Sequence, residues 1–176
     1  MIIALDLDGV VTDIHKAIIG SLNLEKSASD EEIGKALMTP EGSPLVNHIF
    51  ESEGFWKGLL PIPDSWFAVN NWAYKLNNIH FVTARRSPAS IGCIESWLDM
   101  WDIPFDQFHV VDMMKKLDVL KEIEADLFID DNVFEVDNVL KDGSISAIAL
   151  RHSYNAAVLE THQHIPFEDL LSKVKL

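Results

Sequence analysis

The chain has 176 residues, of which 48% are hydrophobic, and it carries a formal net charge of −14. This length and composition suffice for one folded core and exclude a disordered, collagen-like or disulfide-stapled protein. An acidic chain without a basic patch repels duplex nucleic acid, because that binding depends on clustered Lys and Arg. No apolar run is long enough to cross a bilayer, so we expect no membrane partner.

The cysteine content and the N-terminus predict the compartment. Cys93 is the single cysteine and cannot form an internal disulfide. The first residues, MIIALDLDG, lack the basic start of a signal peptide. The sequence therefore predicts a cytoplasmic protein. It leaves open whether the protein is a monomer or a homodimer.

The predicted strands are short runs in which apolar residues are continuous rather than alternating. Such runs are typical of parallel strands that are covered on both faces. They comprise residues 2–7, 79–83, 108–112, 126–130 and 145–150.

Helical spacing of apolar residues predicts helices between the last four of these strands, at 88–101, 115–125 and 132–143. This alternation of strand and helix favours an α/β fold: a three-layer open parallel sheet with helices on both faces. The C-terminal segment IPFEDLLSKVK (165–175) predicts one more helix that closes over the sheet.

The gap between the first and second predicted strands is too long for a single crossover connection. Helices are predicted within it at 13–22, 30–38, 44–52 and 65–78, the last being the crossover that belongs to the core. These helices predict that the chain is divided into two parts. It consists of a core formed by residues 1–13 and 61–176 and a small helical cap inserted at 14–60.

Polar residues gather where the predicted strands end, which is where open parallel sheets bind their ligands. One such residue is ordinary at a solvated loop end, but a whole set on one edge of the sheet indicates a site. The set comprises four acidic groups, one hydroxyl and several cations: Asp6, Asp8, Thr83, Arg85, Arg86, Lys115, Lys116, Asp130 and Asp131.

This set of residues supports phosphoryl transfer. A carboxylate can attack phosphorus when Mg²⁺ offsets the charge repulsion, and an aspartyl-phosphate divides one hard step into two easier ones. A second carboxylate two residues away can protonate the leaving alkoxide and later deprotonate the attacking water. Backbone amides after a glycine turn, a threonine hydroxyl and a lysine ammonium can hold the phosphate oxygens.

Four segments resemble, in order, the motifs of the haloacid dehalogenase (HAD) superfamily of phosphotransferases, which has a Rossmann-like core. DLDGVVT resembles the first motif, DxDGx(x)T, and IHFVTAR resembles the second, an apolar strand that ends in Thr. The lysine pair Lys115/Lys116 resembles the third motif and LFIDD the fourth. The predicted insertion resembles the helical cap of many members.

Within that insertion, GFWKGLLPIPDSW is similar to a segment of the 5'(3')-deoxyribonucleotidases, and DLFIDD is close to the fourth motif of that group. Those enzymes remove phosphate from nucleoside monophosphates. The sequence departs from the group at TARR, where Thr-Ser-Pro is usual, and at the aromatic pair, which is Phe-Trp here.

The resemblance implies a role for each matched residue. Asp6 is implied as the nucleophile and a metal ligand, and Asp8 as the general acid/base whose backbone carbonyl also binds the metal. Asp130 is implied as the third protein ligand of Mg²⁺, and Asp131 as a ligand through water or a partner of the lysine. Phosphate binding is implied for Gly9, Thr83, Ala84 and Lys116, with Lys115 as the alternative.

The implied substrate is a small phosphorylated molecule, most specifically a nucleoside monophosphate; a sugar phosphate or another small phosphomonoester is the alternative. Phe55 and Trp56 could stack on a nucleobase or pack within the cap, and Arg85 could grip the substrate or be solvated. Glu135 could cap a helix or support the metal ligands. A non-catalytic binding domain and a receiver-like phosphoacceptor domain are alternatives from other classes, but a receiver places its acceptor mid-chain and has no cap.

Overall fold

One parallel sheet organises the computed structural model, which describes residues 1–21, 48–112, 114–152, 155, 164–166 and 169. Its strand order is β3-β2-β1-β4-β5-β6, and every neighbouring pair is parallel. This arrangement confirms the predicted open α/β sheet. The strands are β1 (Ile2–Leu5), β2 (Asn78–Thr83), β3 (Gln107–Val110), β4 (Leu127–Asp130), β5 (Ser146–Arg151) and β6 (His164–Pro166).

Local signals set the ends of several helices. One helix begins with Pro63, whose fixed φ suits the first helical turn. Another is capped by the Asn132 side chain, which accepts the Phe134 amide at 3.0 Å, and it ends at Gly143, where φ is 77°. The helices are α1 (Ile14–Ser21), α2 (Glu53–Lys57), α3 (Pro63–Tyr74), α4 (Pro88–Gly92), α5 (Ile94–Met100), α6 (Lys116–Glu122) and α7 (Val133–Asp142).

The core consists of two apolar layers, one on each face of the sheet. Successive side chains of a strand point to opposite faces, so a continuous apolar run supplies both layers. On one face, strand residues pack with tryptophans of α3 and α5: Ile3, Leu5, Phe81, Ile129, Trp72 and Trp97. On the other face, they pack with valines of α7: Ala4, Val82, Phe128, Val136 and Val139.

The register of the central strands brings three chain segments to one edge. Leu5 of β1 pairs with Phe81 of β2 on one side and with Ile129 of β4 on the other. The carboxyl ends of these strands therefore lie side by side. The residues that follow β1, end β2 and end β4 consequently become neighbours although they are distant in sequence.

Several predicted elements differ from the structure in their limits, among them the first strand, the helix 88–101 and the crossover helix predicted at 65–78, which is Pro63–Tyr74 in the structure. The first strand ends at Leu5 rather than at residue 7, because the Leu7 carbonyl already accepts the amides of Val11 and Thr12 in a turn. The predicted helix 88–101 is divided into α4 and α5 at Cys93. Gly92, which disfavours helix by about 1 kcal/mol relative to Ala, directly precedes the break.

The C-terminal part also differs from the prediction. Residues His164–Pro166 form β6, which pairs with β5 and adds an edge strand where the sequence predicted the start of a helix. A strand of three residues that ends in proline carries little periodic signal. The predicted helix 30–38 and residues 44–47 of the predicted helix 44–52 lie outside the described residues. No helix in the described part is long and apolar enough to span a membrane.

Candidate active site

A lysine bridges two carboxylates at the ends of the central strands. Lys116 Nζ lies 2.9 Å from Asp6 Oδ1 and 2.8 Å from Asp130 Oδ2. All three residues are buried. The other oxygen of Asp130 accepts the amide of Asn132 at 2.8 Å. The arrangement arises because Asp6 follows β1, Asp130 ends β4 and Lys116 begins α6.

Burial dominates the electrostatics of this cluster. It raises the pKa of Asp6 to about 7, with smaller contributions from Asp130 and Asp8, while Lys116 opposes the rise. Burial, together with Asp131, likewise raises the pKa of Asp130 to about 7 against the effect of Lys116. Burial would lower the pKa of Lys116, but the two carboxylates outweigh it and raise that pKa. The lysine is therefore an ammonium shared by two carboxyl groups.

Asp6, Asp130 and Asp131 fit a divalent cation. One carboxylate oxygen from each lies within 4.8 Å of the others. Oxygen ligands of this kind are those that Mg²⁺ prefers in proteins. Three carboxylates against the single Lys116 ammonium leave a formal charge of 1 − 3 = −2. A divalent cation would balance that charge.

Asp8 belongs to a second ion pair, which is distinct from the first. Arg85 donates from Nε to Asp8 Oδ2 at 2.8 Å and from Nη2 to Asp8 Oδ1 at 2.7 Å. Thr12 Oγ1 donates to Asp8 Oδ1 at 2.7 Å. The Arg85 side chain is only 2% exposed and that of Asp8 is 21% exposed. Both oxygens of the predicted acid/base are therefore held by the protein.

The turn after Asp8 requires a glycine. Gly9 has φ of 77°, and its amide donates to the Thr12 carbonyl at 3.0 Å. The Gly9 carbonyl lies 2.5 Å from Nε2 of His152, beyond the end of β5. Burial lowers the pKa of His152 to about 4, although the contact with Gly9 opposes this. A neutral His152 with its proton on Nε2 therefore donates to this turn.

A cavity of about 520 Å³ opens above Asp6 and Asp8. Six of the predicted site residues line it: Asp6, Asp8, Trp56, Thr83, Ala84 and Arg85. The Thr83 hydroxyl accepts the Arg85 amide at 3.4 Å, which leaves its own proton available for an anion. Arg86 is exposed and also lines the cavity.

The structure separates the two candidate lysines and the two candidate aromatic residues. Lys115 is exposed, whereas Lys116 contacts Asp6 and Asp130 as described. Phe55 packs edge-on against Trp56 with ring centroids 5.2 Å apart, and it does not line the cavity. Trp56 lines the cavity although only 4% of its surface is exposed.

Phe50 is a cavity residue that the sequence analysis did not identify. It lines the cavity, and its carbonyl accepts Trp56 Nε1 at 2.7 Å and Ser87 Oγ at 2.8 Å. No local pattern marks it, because a phenylalanine in a predicted helix is explained by packing alone. Its partner Ser87 also caps α4. In the sequence, Ser87 could be recognised only as a helix cap and not as a cavity residue.

Two further residues support the acidic cluster from behind. Glu135 is buried, and its Oε1 accepts the Met114 amide at 2.7 Å, which fixes the loop that leads to Lys116. Asn155 donates to the Asp131 carbonyl at 2.9 Å and to the Leu150 carbonyl at 2.8 Å. The sequence suggested a supporting position for Glu135 but gave no sign of Asn155.

Solved structures with the same fold include several phosphate-handling enzymes. A candidate beta-phosphoglucomutase from Thermotoga maritima superposes with a TM-score of 0.65 at 19% identity, covering 97% of this chain and 96% of that chain. A D,D-heptose 1.7-bisphosphate phosphatase from B. bronchiseptica, complexed with magnesium and phosphate, has a TM-score of 0.54 at 12% identity, with 97% and 93% covered. A HAD-superfamily hydrolase from Ehrlichia chaffeensis has a TM-score of 0.56 at 12% identity, also with 97% and 93% covered.

At such identities these neighbours show the fold, which is the Rossmann-like fold predicted from the motifs. Together with a family match over residues 1–155, this fold identifies the chain as a HAD-type phosphatase, a hydrolase of phosphoric monoesters. Residues 1–155 match the model of the 5'-nucleotidase family, and the chain belongs to that family. No curated protein matches the chain in sequence. The predicted resemblance to a nucleotidase is thereby confirmed.

Proposed function

We propose that the protein is a Mg²⁺-dependent 5'(3')-(deoxy)nucleotidase that hydrolyses nucleoside monophosphates through a phosphate ester of Asp6. The observation that carries the proposal is the cluster of Asp6, Asp130 and Asp131 oxygens within 4.8 Å of one another, because Asp6 also lines the cavity. Such a cluster beside a cavity suits a phosphate dianion and a divalent cation together.

In the first step, the Asp6 carboxylate attacks phosphorus and the bond from phosphorus to the substrate's ester oxygen breaks. Asp8 lies two residues away on the same cavity wall, and in its protonated form it gives its proton to the departing alkoxide. Lys116 and the Thr83 hydroxyl hold phosphate oxygens as charge develops. The products of this step are the free nucleoside and an acyl phosphate on Asp6.

In the second step, Asp8 accepts a proton from water, and that water attacks phosphorus of the acyl phosphate. The bond between phosphorus and the Asp6 oxygen breaks, which restores the carboxylate and releases inorganic phosphate. One residue thus acts first as acid and then as base, which requires its carboxyl group to stay in one place through both steps.

Mg²⁺ would be held by the Asp6 and Asp130 carboxylates, the Asp8 carbonyl and, through water, Asp131. When bound, it would offset the repulsion between the anionic nucleophile and the anionic phosphate. Lys116 keeps the same two carboxylates oriented from the protein side.

Two observations support a nucleoside substrate delivered under a cap. The cavity volume falls within the usual range for small-molecule sites, and the rings of Phe50 and Trp56 form part of its wall. The segments where the chain leaves and re-enters the core lie side by side. The Asp13 amide donates to the Leu60 carbonyl and the Ile62 amide donates to the Val11 carbonyl, both at 2.8 Å. We propose that residues 14–60 are the cap and that Trp56, with Phe55 behind it, borders the base.

The test is phosphate release from a panel of nucleoside monophosphates and sugar phosphates, with Mg²⁺ and with EDTA. We expect Mg²⁺-dependent release that is fastest for deoxynucleoside monophosphates. The variant Asp6→Asn should lose about 10⁴-fold or more in kcat while remaining folded, because the nucleophile is removed without a change of shape.

Asp118→Asn, at an exposed position of α6, is the matched control and should keep full activity. Release from sugar phosphates alone would retain the mechanism and reject the nucleotide substrate. Equal activity of Asp6→Asn and the wild type would reject the mechanism.

A further inference from the structure

We propose that Arg85 is a positioning residue for Asp8 and that it couples the acid/base to the segment around α2 through Trp56. The inference rests on the proposed function, since Asp8 is a catalytic acid/base only if the protein hydrolyses phosphomonoesters. It gives Arg85 a different role from the substrate contact predicted from the sequence.

Every nitrogen of the Arg85 guanidinium already has a protein acceptor. Nε and Nη2 form the two-pronged pair with Asp8, and Nη1 donates to the Ser90 carbonyl at 3.3 Å. Only the planar arginine fork can hold both carboxylate oxygens at once. The geometry therefore fixes both the position and the plane of the Asp8 carboxyl group.

Trp56 covers one face of the same guanidinium. The Arg85 guanidinium carbon lies 4.4 Å from the Trp56 ring centroid, which is a cation–π distance. Trp56 belongs to α2 and comes from the predicted cap, whereas Arg85 follows the end of β2. One arginine thus joins a cap residue to an acid/base on the core.

The loop carrying Arg85 and the segment around α2 also share a second anchor. Ser87 and the Trp56 indole both donate to the carbonyl of Phe50, at 2.8 Å and 2.7 Å. The segment from Phe50 to Trp56 therefore cannot move away from the Arg85 loop without breaking the Ser87 hydrogen bond and the contact between Trp56 and Arg85. The orientation of Asp8 consequently depends on where this segment sits.

The kinetic test compares two substrates with the same leaving alkoxide: a deoxynucleoside 5'-monophosphate and deoxyribose 5-phosphate. For Arg85→Ala we expect kcat to fall about 10²-fold on both substrates, because a misplaced catalytic group costs about that much. KM should change less than about threefold, as expected for a residue that does not touch the substrate. Arg85→Lys keeps the charge without the fork and should lose about tenfold.

Trp56→Leu should reduce kcat on both substrates in the same way, and Trp56→Phe, which keeps an aromatic face but loses the indole hydrogen bond to the Phe50 carbonyl, should reduce it less. Lys57→Gln removes an exposed cation next to Trp56 and should change nothing. A rise in KM for Arg85→Ala with kcat unchanged would overturn the proposal in favour of direct substrate binding. If kcat of Trp56→Leu falls only on the nucleotide and not on deoxyribose 5-phosphate, the proposed coupling of Trp56 to Asp8 is overturned.

Thermal unfolding tests the coupling of Arg85 to Asp8 and to Trp56 without an activity measurement. The double variants Arg85→Ala/Asp8→Ala and Arg85→Ala/Trp56→Leu should each lower Tm by less than the sum of their single variants, because the single variants break the same contacts. Additive losses would overturn the linkage. If the wild type releases no phosphate from either substrate, the proposed function fails, and this unfolding cycle alone decides whether the three residues are coupled.

Discussion

The two halves of the site differ in charge balance. The strand-end half consists of Asp6, Asp130, Asp131 and Lys116, and it has a formal charge of −2. The loop half consists of Asp8, Arg85, Thr12 and Trp56, where one carboxylate faces one guanidinium and the charges cancel. The named groups of the first half therefore carry an excess of negative charge that a cation would offset, whereas the charges of Asp8 and Arg85 in the second half balance each other. The difference teaches that neighbouring acidic residues can serve opposite electrostatic purposes.

The halves also differ in how they are held. The strand-end half is fixed by the register of β1 and β4 and by the start of α6. The loop half depends on the turn after β1, the loop after β2 and a contact from α2. Strand register cannot shift without disrupting the core, whereas loop contacts can loosen individually. We therefore expect substitutions in the strand-end half to have larger effects on stability and turnover than substitutions in the loop half.

The largest effect is expected from Lys116→Met. This change leaves two buried carboxylates without their cation and should lower the free energy of unfolding by about 3 kcal/mol or more. It should also reduce kcat by about 10²- to 10³-fold, because a cation that we propose holds the substrate phosphate is lost. Chemical denaturation and the phosphate-release assay measure the two effects.

Lys115→Met is the matched control, since its side chain is exposed one residue away. We expect its stability and turnover to stay close to those of the wild type. Comparable losses in both variants would contradict the assignment of the phosphate-binding lysine to Lys116.

A smaller effect is expected from His152, which donates to the turn that carries the loop half. Its pKa in the folded protein is about 4 and its ordinary value is 6.5, so the unfolded chain takes up its proton first as the pH falls. The stabilisation is therefore complete above pH 6.5 and is lost as the pH falls towards 4, by about 3 kcal/mol at most.

The measurement is the free energy of unfolding of the wild type and of His152→Gln between pH 7.5 and pH 4. The difference between the two curves isolates His152 from the carboxylates, whose raised pKa values act in the opposite direction. His80 and His109 also have lowered pKa values through burial, but they are present in both proteins. Parallel curves would show that His152 does not contribute.

The smallest expected effect is the stabilisation of the protein by Mg²⁺, which tests the difference in charge between the two halves of the site. Mg²⁺ at about one hundred times its Kd should stabilise the wild type by about 2.7 kcal/mol, which for a chain of this size raises Tm by about 5–10 °C. Asp131→Asn should lose most of this shift. Asp8→Asn should retain it although its own Tm is lower, because only the backbone of that residue is proposed to bind the cation. An equal shift in both variants would refute the division into two halves.

Much of the fold could be predicted because its signals are local. Continuous apolar runs identified the first five strands of the chain, and the asparagine and glycine at the ends of α7 marked that helix. The short edge strand β6 was missed because three residues give no period to detect. The break at Cys93 was missed because the apolar spacing runs through it.

The sequence alone determined which residue types reach the edge of the sheet: two aspartates after β1, a threonine at the end of β2 and two more aspartates from the end of β4. Only the tertiary structure decided which of two adjacent lysines turns inward and which acid each cation meets. Arg85 pairs with Asp8 across 77 positions of chain, and Lys116 contacts Asp130 across 14. Residue type and periodicity are local properties, whereas the partner of a charge is set by which distant segments the sheet register and the helix phase bring together.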